Sequence, residues 1–292
     1  MAVLTEQKQA GNQVVAQDTR QPTVVIVPEK GWMPIDLREL WAFRDLLFFM
    51  SWRDISVRYK QTILGVAWAI IQPFFSMVVF SLFFGRLAKV PSDGIPYPIF
   101  SYAAVLPWGY FSAALGGAAN SLVGSSTLIS KTYFPRMTIP LAAVITPLFD
   151  FVIAFLFLIV LMIFYRITPT WNVIWLPFLL LLSVITALGV GLWLSAMNVQ
   201  YRDIKYAIGF LLQLWMFASP VVYSTTLVPT QWRIIYGLNP MAGVISGFRW
   251  ALLGTNTGPD YMMFVSVMVA LLILISGAFY FRRMEKNFAD MI

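Results

Sequence analysis

Six long apolar stretches fill most of the chain after residue 62: Ile63–Phe84, Ile99–Val123, Ile139–Tyr165, Ile174–Met197, Tyr206–Val222 and Tyr261–Phe281. A helix needs roughly 20 apolar residues to cross about 30 Å of hydrocarbon, and only the fifth stretch is marginal. Inside a bilayer every backbone N–H and C=O must find a partner within the protein, which leaves helices and closed barrels as spanning structures. Runs of this length fit helices, so the expectation is an all-α integral membrane protein with six transmembrane helices. Hydrophobic residues make up 59% of the chain and charged ones 11%, against about 25% charged in an ordinary soluble domain.

Basic residues fix the orientation. Six crossings put both termini on one side. That side receives Lys8, Arg20, Lys30, Arg38, Arg44, Arg53, Arg58, Lys60, Lys131, Arg136, Arg202, Lys205, Arg282, Arg283 and Lys286. The opposite side receives only Arg86, Lys89, Arg166, Arg233 and Arg249. The biased side is therefore cytoplasmic. The net charge of +7 is first a topology signal, and nothing in its placement suggests nucleic acid. No stretch before Ile63 has the apolar core of a signal peptide.

The segment Met241–Leu253 is apolar enough to suggest a seventh crossing, but it is short, carries Arg249 and follows Asn239-Pro240. A crossing there would also send Arg282, Arg283 and Lys286 to the outside. A hairpin within Val228–Thr257 fits better. Two readings stay open for it: a re-entrant gate, or an external amphipathic cover over the helix ends.

Three pieces precede the first span. Residues 1–34 form an arm without helical period. Asp36 and Glu39 have the spacing of a capping box, and Leu37, Leu40, Trp41, Leu47 and Phe48 form one apolar stripe after it. The expectation is an interfacial helix. Ser51 and Asp54 repeat the capping spacing, which predicts a second helix over Trp52–Lys60. That helix carries Arg53, Arg58 and Lys60, candidates for an anionic headgroup or diphosphate or for simple positive-inside anchoring.

Polar residues within the spans are few. At about 100° per residue, Gln61, Gly65, Trp68, Gln72 and Ser76 share one face of the first span. Arg202, Tyr206, Gly209, Gln213 and Phe217 do so on the fifth. An amide facing lipid costs several kcal/mol, so both faces must meet protein or water. Amides and hydroxyls interleaved with rings suit a carbohydrate path as well as helix packing. The stripe Gly109, Ala113, Gly116 (with Gly117), Asn120 and Gly124 on the second span reads as a close helix contact. Asp150, the one acid deep in a span, reads as a structural hydrogen-bonding group.

Several chemistries are excluded. With no cysteine and no histidine, the chain lacks thiol chemistry and the usual metal ligand and neutral-pH base. No metal-ligand cluster is visible. No Gly-Lys pair occurs, so there is no Walker A loop for ATP. If the chain pumps anything, the energy comes from another subunit.

Four groups of residues resemble one family. Arg53-Asp54-Ile55-Ser56-Val57-Arg58-Tyr59-Lys60-Gln61-Thr62-Ile63-Leu64-Gly65-Val66-Ala67-Trp68, with Gln72-Pro73, is similar to the start of the permease in polysaccharide-exporting ABC transporters. Leu128–Arg136, Tyr201-Arg202-Asp203-Ile204, and Ser219–Tyr223 with Leu238–Met241 and Phe248-Arg249 agree in order and position. The resemblance covers roughly residues 24–288. It implies a homodimeric six-span permease of the bacterial inner membrane, joined to two ATP-binding subunits that hold ATP and Mg, with no cofactor in this chain. It further implies an interface helix at Asp36–Met50, a coupling helix at Ser125–Arg136 with Lys131, Tyr133, Phe134 and Arg136 docking on the ATPase, and a periplasmic re-entrant pair at Pro229–Leu253 with Asn239, Pro240 and Arg249 as its gate.

In that family the first and fifth spans border the channel, which singles out Gln61, Trp68, Gln72, Ser76, Tyr206, Gln213 and Phe217. The implied substrate is a glycan on a polyprenyl diphosphate: an O-antigen of lipopolysaccharide, a capsule or a teichoic acid. A type-2 permease for drugs or lipids shares the helix plan and stays open. A membrane-embedded glycosyltransferase or polymerase would need an acid cluster that this sequence does not contain.

Overall fold

The computed structural model describes residues 37–60, 65–201, 203–255, 258 and 260–288. All belong to one compact unit, Trp32–Ile292. The arm 1–34, Asp36, Gln61 and Arg202 lie outside the described residues. Among the described residues every regular element is helical: α1 (Leu37–Ala42), α2 (Arg44–Lys60), α3 (Trp68–Phe80), α4 (Tyr97–Gly124), α5 (Ser126–Lys131), α6 (Thr138–Ile145), α7 (Pro147–Phe164), α8 (Leu176–Gln200), α9 (Ile204–Ala218), α10 (Arg233–Tyr236), α11 (Pro240–Leu253) and α12 (Tyr261–Met284). Among the described residues five helical stretches are long and apolar enough to cross a membrane: Gly65–Leu87, Tyr97–Gly124, Thr138–Phe164, Trp171–Gln200 and Tyr261–Met284. The chain is an all-α, multi-pass membrane protein.

The bundle is built around α4. Of its most apolar window 78% is buried, against 6% for the stretch that contains α3. Small residues explain the difference: Ala103, Ala104, Ala114, Ala118 and Ala119 are fully buried and let neighbouring backbones approach. α8 packs along α4 where a Cβ on Gly191 would stand 2.7 Å from Ala118 Cβ. α8 also packs on α12, where a Cβ on Gly189 would stand 2.7 Å from Leu274 N and Cα. The outward faces remain apolar, with Leu156, Val160, Phe264 and Leu272 all exposed. In a membrane protein these meet lipid tails.

Proline shapes the spans. Pro147 has no N–H to donate, and it divides α6 from α7 without a bend into a loop. Thr146 Oγ1 donates to Ala142 O at 2.9 Å across that junction. Beyond α3 the backbone continues as a π-helical stretch, Ser81–Leu87, and then turns through Lys89 and Asp93, both with positive φ.

At one end of the bundle Met50, Leu122, Ile129, Phe134, Met137, Phe281 and Phe288 form a separate apolar cluster. The first and last described segments therefore meet at the same end. At the other end α11 is almost entirely buried, wedged among α4, α8 and α12. Asn239 caps its start by accepting from Met241 N at 3.1 Å, and Pro240 occupies the first turn. Gly254, in the left-handed region with φ 66°, ends it. The Phe248 ring lies 6.1 Å from that of Phe151, edge-on, midway along the α6–α7 span.

The segment before the first span differs from the sequence expectation. The helix break falls at Phe43, and α2 runs unbroken from Arg44 to Lys60. Ser51 does not cap a new helix; its Oγ donates back to Leu47 O at 2.9 Å in mid-helix. The apolar stripe also divides. Leu40 and Leu47 pack on the bundle-end cluster, while Trp41 and Phe48 are exposed.

Candidate functional site

A cleft of about 780 Å³ opens between α2, α3, α4 and α7, with Met216 of α9 at its edge. Trp68, Gln72 and Ser76 line it, one helical turn apart, with Arg58 and Gly65 below them. Gln72 and Ser76 thus face the cleft, in keeping with the cost of setting an amide or hydroxyl against lipid. Ser76 Oγ donates to Gln72 O at 3.0 Å. Gly109 and Ala113 form part of the opposite wall. This corrects part of the small-residue stripe on α4: a Cβ on Gly117 would stand 3.4 Å from Ala143 O of α6, a close helix contact as expected. Gly109 and Gly124 have no neighbour within 4 Å where a Cβ would go, so they widen space and do not admit a helix. Tight glycines include Gly189, Gly191 and Gly277, whose neighbours lie on other helices and are invisible in a local pattern.

Asp150 is also corrected. It does not bond a neutral hydroxyl or amide; it forms an ion pair with Arg58, 92 residues away, on the cleft wall. The side chains are 49% and 27% exposed respectively, so the pair faces the cleft and not the core. Beside it the rings of Tyr59 and Phe149 meet at 5.4 Å. These two contacts dock the last turn of α2 on α7.

The three cations of α2 do not converge. Arg53 and Lys60 are seven residues apart and share a side, whereas Arg58 lies about 140° from Arg53 around the axis. Arg53 pairs with its neighbour Asp54 at 2.8 Å, and Lys60 is exposed. Only Arg58 lines the cleft.

On α9, Tyr206, Gln213 and Phe217 are all exposed, and only Ile208 of this helix is buried. Its polar-aromatic face points away from the rest of the chain. Trp215, on another side, donates from Nε1 to Asn239 Oδ1 at 2.8 Å. Asn239 Nδ2 in turn donates to Ser219 Oγ at 2.9 Å and Ala218 O at 3.2 Å. Asn239 thereby ties the end of α9 to the start of α11.

Arg249 is 3% exposed. Its Nε donates to Phe100 O (3.2 Å), Nη1 to Pro220 O (2.7 Å) and Tyr223 O (2.8 Å), and Nη2 to Val221 O (2.7 Å). The guanidinium also stacks 3.6 Å above the Phe100 ring. A buried cation is satisfied here by backbone dipoles and a π face. Arg249 joins α11, the start of α4 and the segment after α9.

The loop after α5 likewise splits. Lys131 and Tyr133 project outward, Tyr133 being 82% exposed. Phe134 is 5% exposed, inside the bundle-end cluster. Arg136 N donates to Glu285 Oε1 at 3.2 Å, and its guanidinium bonds Glu285 O. The loop is thereby fastened to the end of α12. Among the described residues no group of acids could hold a metal ion.

Residues 45–253 match the family described as ABC-2 type transporter. The chain belongs to that family. It is 33% identical over 262 residues to the O-antigen export system permease protein RfbA of Myxococcus xanthus, covering 88% of this chain and 98% of that one. A protein of the same name from Klebsiella pneumoniae is 25% identical over 249 residues, covering 85% and 95%. The polysialic acid transport protein KpsM of Escherichia coli is 20% identical over 235 residues, covering 80% and 91%.

Proposed function

We propose that this chain is the membrane subunit of an ABC exporter that moves a polyprenyl-diphosphate-linked polysaccharide, an O-antigen in particular, across the bacterial inner membrane. It works as a homodimer with two separate subunits whose hydrolysis of ATP, with Mg, supplies the energy. The observation that carries this reading is the end-to-end alignment with an O-antigen export permease. The cleft adds a physical reason, because it combines one cation, Arg58, with amide, hydroxyl and indole groups on a single face. Phosphate suits a guanidinium. Sugar hydroxyls suit amides, and sugar C–H faces suit rings.

The remaining roles follow from that reading. The bundle end that holds α2, α5 and the close of α12 carries the basic excess and is cytoplasmic. Six crossings then require α9, though short, to count as one. α11 is a re-entrant helix: its burial among α4, α8 and α12, and the Phe248–Phe151 contact midway along a span, favour depth over a surface cover. The polar-aromatic faces of α3, with Trp68, Gln72 and Ser76, and of α9, with Tyr206, Gln213 and Phe217, line the conduit formed with a second copy. Lys131 and Tyr133 meet the ATPase, while Phe134 and Arg136 pass its motion to α12.

The test uses the complex of this chain and its ATPase in proteoliposomes loaded with lipid-linked glycan. ATP should expose glycan on the opposite face, and an inactive ATPase should abolish this. An assembled, ATP-hydrolysing complex that moves no glycan but expels small amphiphiles would replace this reading with a drug or lipid permease.

A further inference from the structure

We propose that Asp150 is a built-in competitor for the lipid-diphosphate site: it holds Arg58 while the cleft is empty, and the arriving headgroup must displace it. This rests on the preceding reading, in which Arg58 receives the diphosphate.

An ionised carboxylate within a span is costly, and such groups face a cavity or a partner charge. Asp150 does both. It pairs with Arg58 and lies on the cleft wall beside Gln72 and Trp68. A purely structural pair would serve best sealed away from the cleft, where water and headgroups could not compete for it. This one is partly open on both sides. Nor is it needed alone to dock α2, since the Tyr59–Phe149 contact holds the same turn.

The charges explain what the pair does. With Asp150 on Arg58 the site is neutral, so an uncharged lipid headgroup gains nothing by opening it. A diphosphate offers several anionic oxygens, and a guanidinium binds phosphate in a fork geometry that a single carboxylate contact does not match. Exchange is therefore favourable for a polyanionic headgroup and unfavourable for a neutral one, and specificity is that difference. Once released, Asp150 stands as an uncompensated anion beside the bound diphosphate. It weakens the complex and favours onward movement, as a transport site must bind well enough to fill and loosely enough to empty.

The experiment measures binding of a polyprenyl diphosphate without glycan to the permease–ATPase complex in phosphatidylcholine nanodiscs. Removing an internal competitor raises the fraction of binding-competent sites. Asp150→Asn should therefore tighten binding by about two- to fivefold, the range expected for a partly exposed pair. Arg58→Ala should weaken binding at least tenfold, and Arg58→Ala with Asp150→Asn should regain only the part due to the anion's repulsion and stay well below the wild type. Asp150→Glu keeps the charge and should bind like the wild type, which separates loss of charge from loosened packing.

Unchanged or weaker binding by Asp150→Asn, with Arg58→Ala still defective, overturns the competitor and leaves the Arg58 site standing. An equal gain in Asp150→Glu also overturns it. Wild-type binding by Arg58→Ala would instead remove the underlying site. Phosphatidylglycerol in the nanodisc and free pyrophosphate serve as competing phosphates. Both should compete poorly, and competition as strong as the carrier's would assign the site to a bilayer or soluble phosphate and overturn the proposal.

Discussion

Arg249 gathers four backbone carbonyls from two separate segments around one guanidinium. A lysine retains the charge but not the fork, so it cannot reach Phe100, Pro220, Val221 and Tyr223 together. Arg249→Lys should lower stability by about 2–4 kcal/mol, because several buried carbonyls lose a charged donor at once. The check is the thermal midpoint in detergent; a wild-type midpoint would return Arg249 to the role of a gating group that the sequence suggested. Asn239 has the same character on a smaller scale. Asn239→Ala removes the α11 cap, worth about 1 kcal/mol, and also frees Trp215, so the end of α9 should loosen, read as faster amide exchange there. The sequence marked both positions but not their work. The hydrogen-bond partners of Arg249 are main-chain atoms, which carry no residue signature, and the side chains that Asn239 joins, Trp215 and Ser219, lie about 20 residues back along the chain. Arg58 and Asp150 were each noticed for the same reason, an unusual charge near or in a span, yet their pairing depends on how α2 stands against α7. No local pattern contains that.

Among the elements, helix periodicity was readable wherever one face is polar, and misleading wherever the face is merely small. Gln72 and Ser76 of α3 follow Trp68 into the cleft as their spacing required. On α4 the glycine stripe looked like a packing seam, but a seam needs a partner backbone. Gly117 of that stripe meets Ala143 O, but Gly109 has no neighbour within 4 Å, whereas Gly189 meets Leu274. Gly189→Val should therefore force α8 and α12 apart and cost about 1–3 kcal/mol. Gly109→Ala should be neutral or stabilising by up to about 1 kcal/mol, since alanine is the better helix former. Parallel melts of the two variants test the assignment, and equal losses would undo it. The loop before α6 divides by the same logic. Phe134→Ala empties a buried site and should cost about 3–5 kcal/mol. Tyr133→Ala removes an exposed ring and should leave the melt unchanged while lowering glycan export in the ATPase complex. Were Tyr133→Ala to export at the wild-type rate, docking at this ring would be ruled out.

For the whole molecule the deciding element is α9. Its 15 residues rise about 22 Å at 1.5 Å each, less than the hydrocarbon thickness, so hydropathy alone leaves it undecided. The bundle supplies the missing constraint. Met50 and Phe288 share one apolar cluster, which demands an even number of crossings between them. Among the described residues five long helices are present, so one more element must cross, and α9 joins the close of α8 to Asn239 at the far end. A short crossing is tolerable here because α9 touches the cleft at Met216 and is capped at the far end by the Asn239 network, not by lipid. The chain has no cysteine, so single cysteines can be introduced without first removing any. Asp203→Cys stands before α9 and Thr226→Cys after it. In intact spheroplasts a membrane-impermeant maleimide should label Thr226→Cys at once and Asp203→Cys only after permeabilisation. Labelling of both from the same side would mean that α9 does not cross. The parity would then have to come from α11, and Arg249 would be a charge within a span instead of the pin of a re-entrant helix.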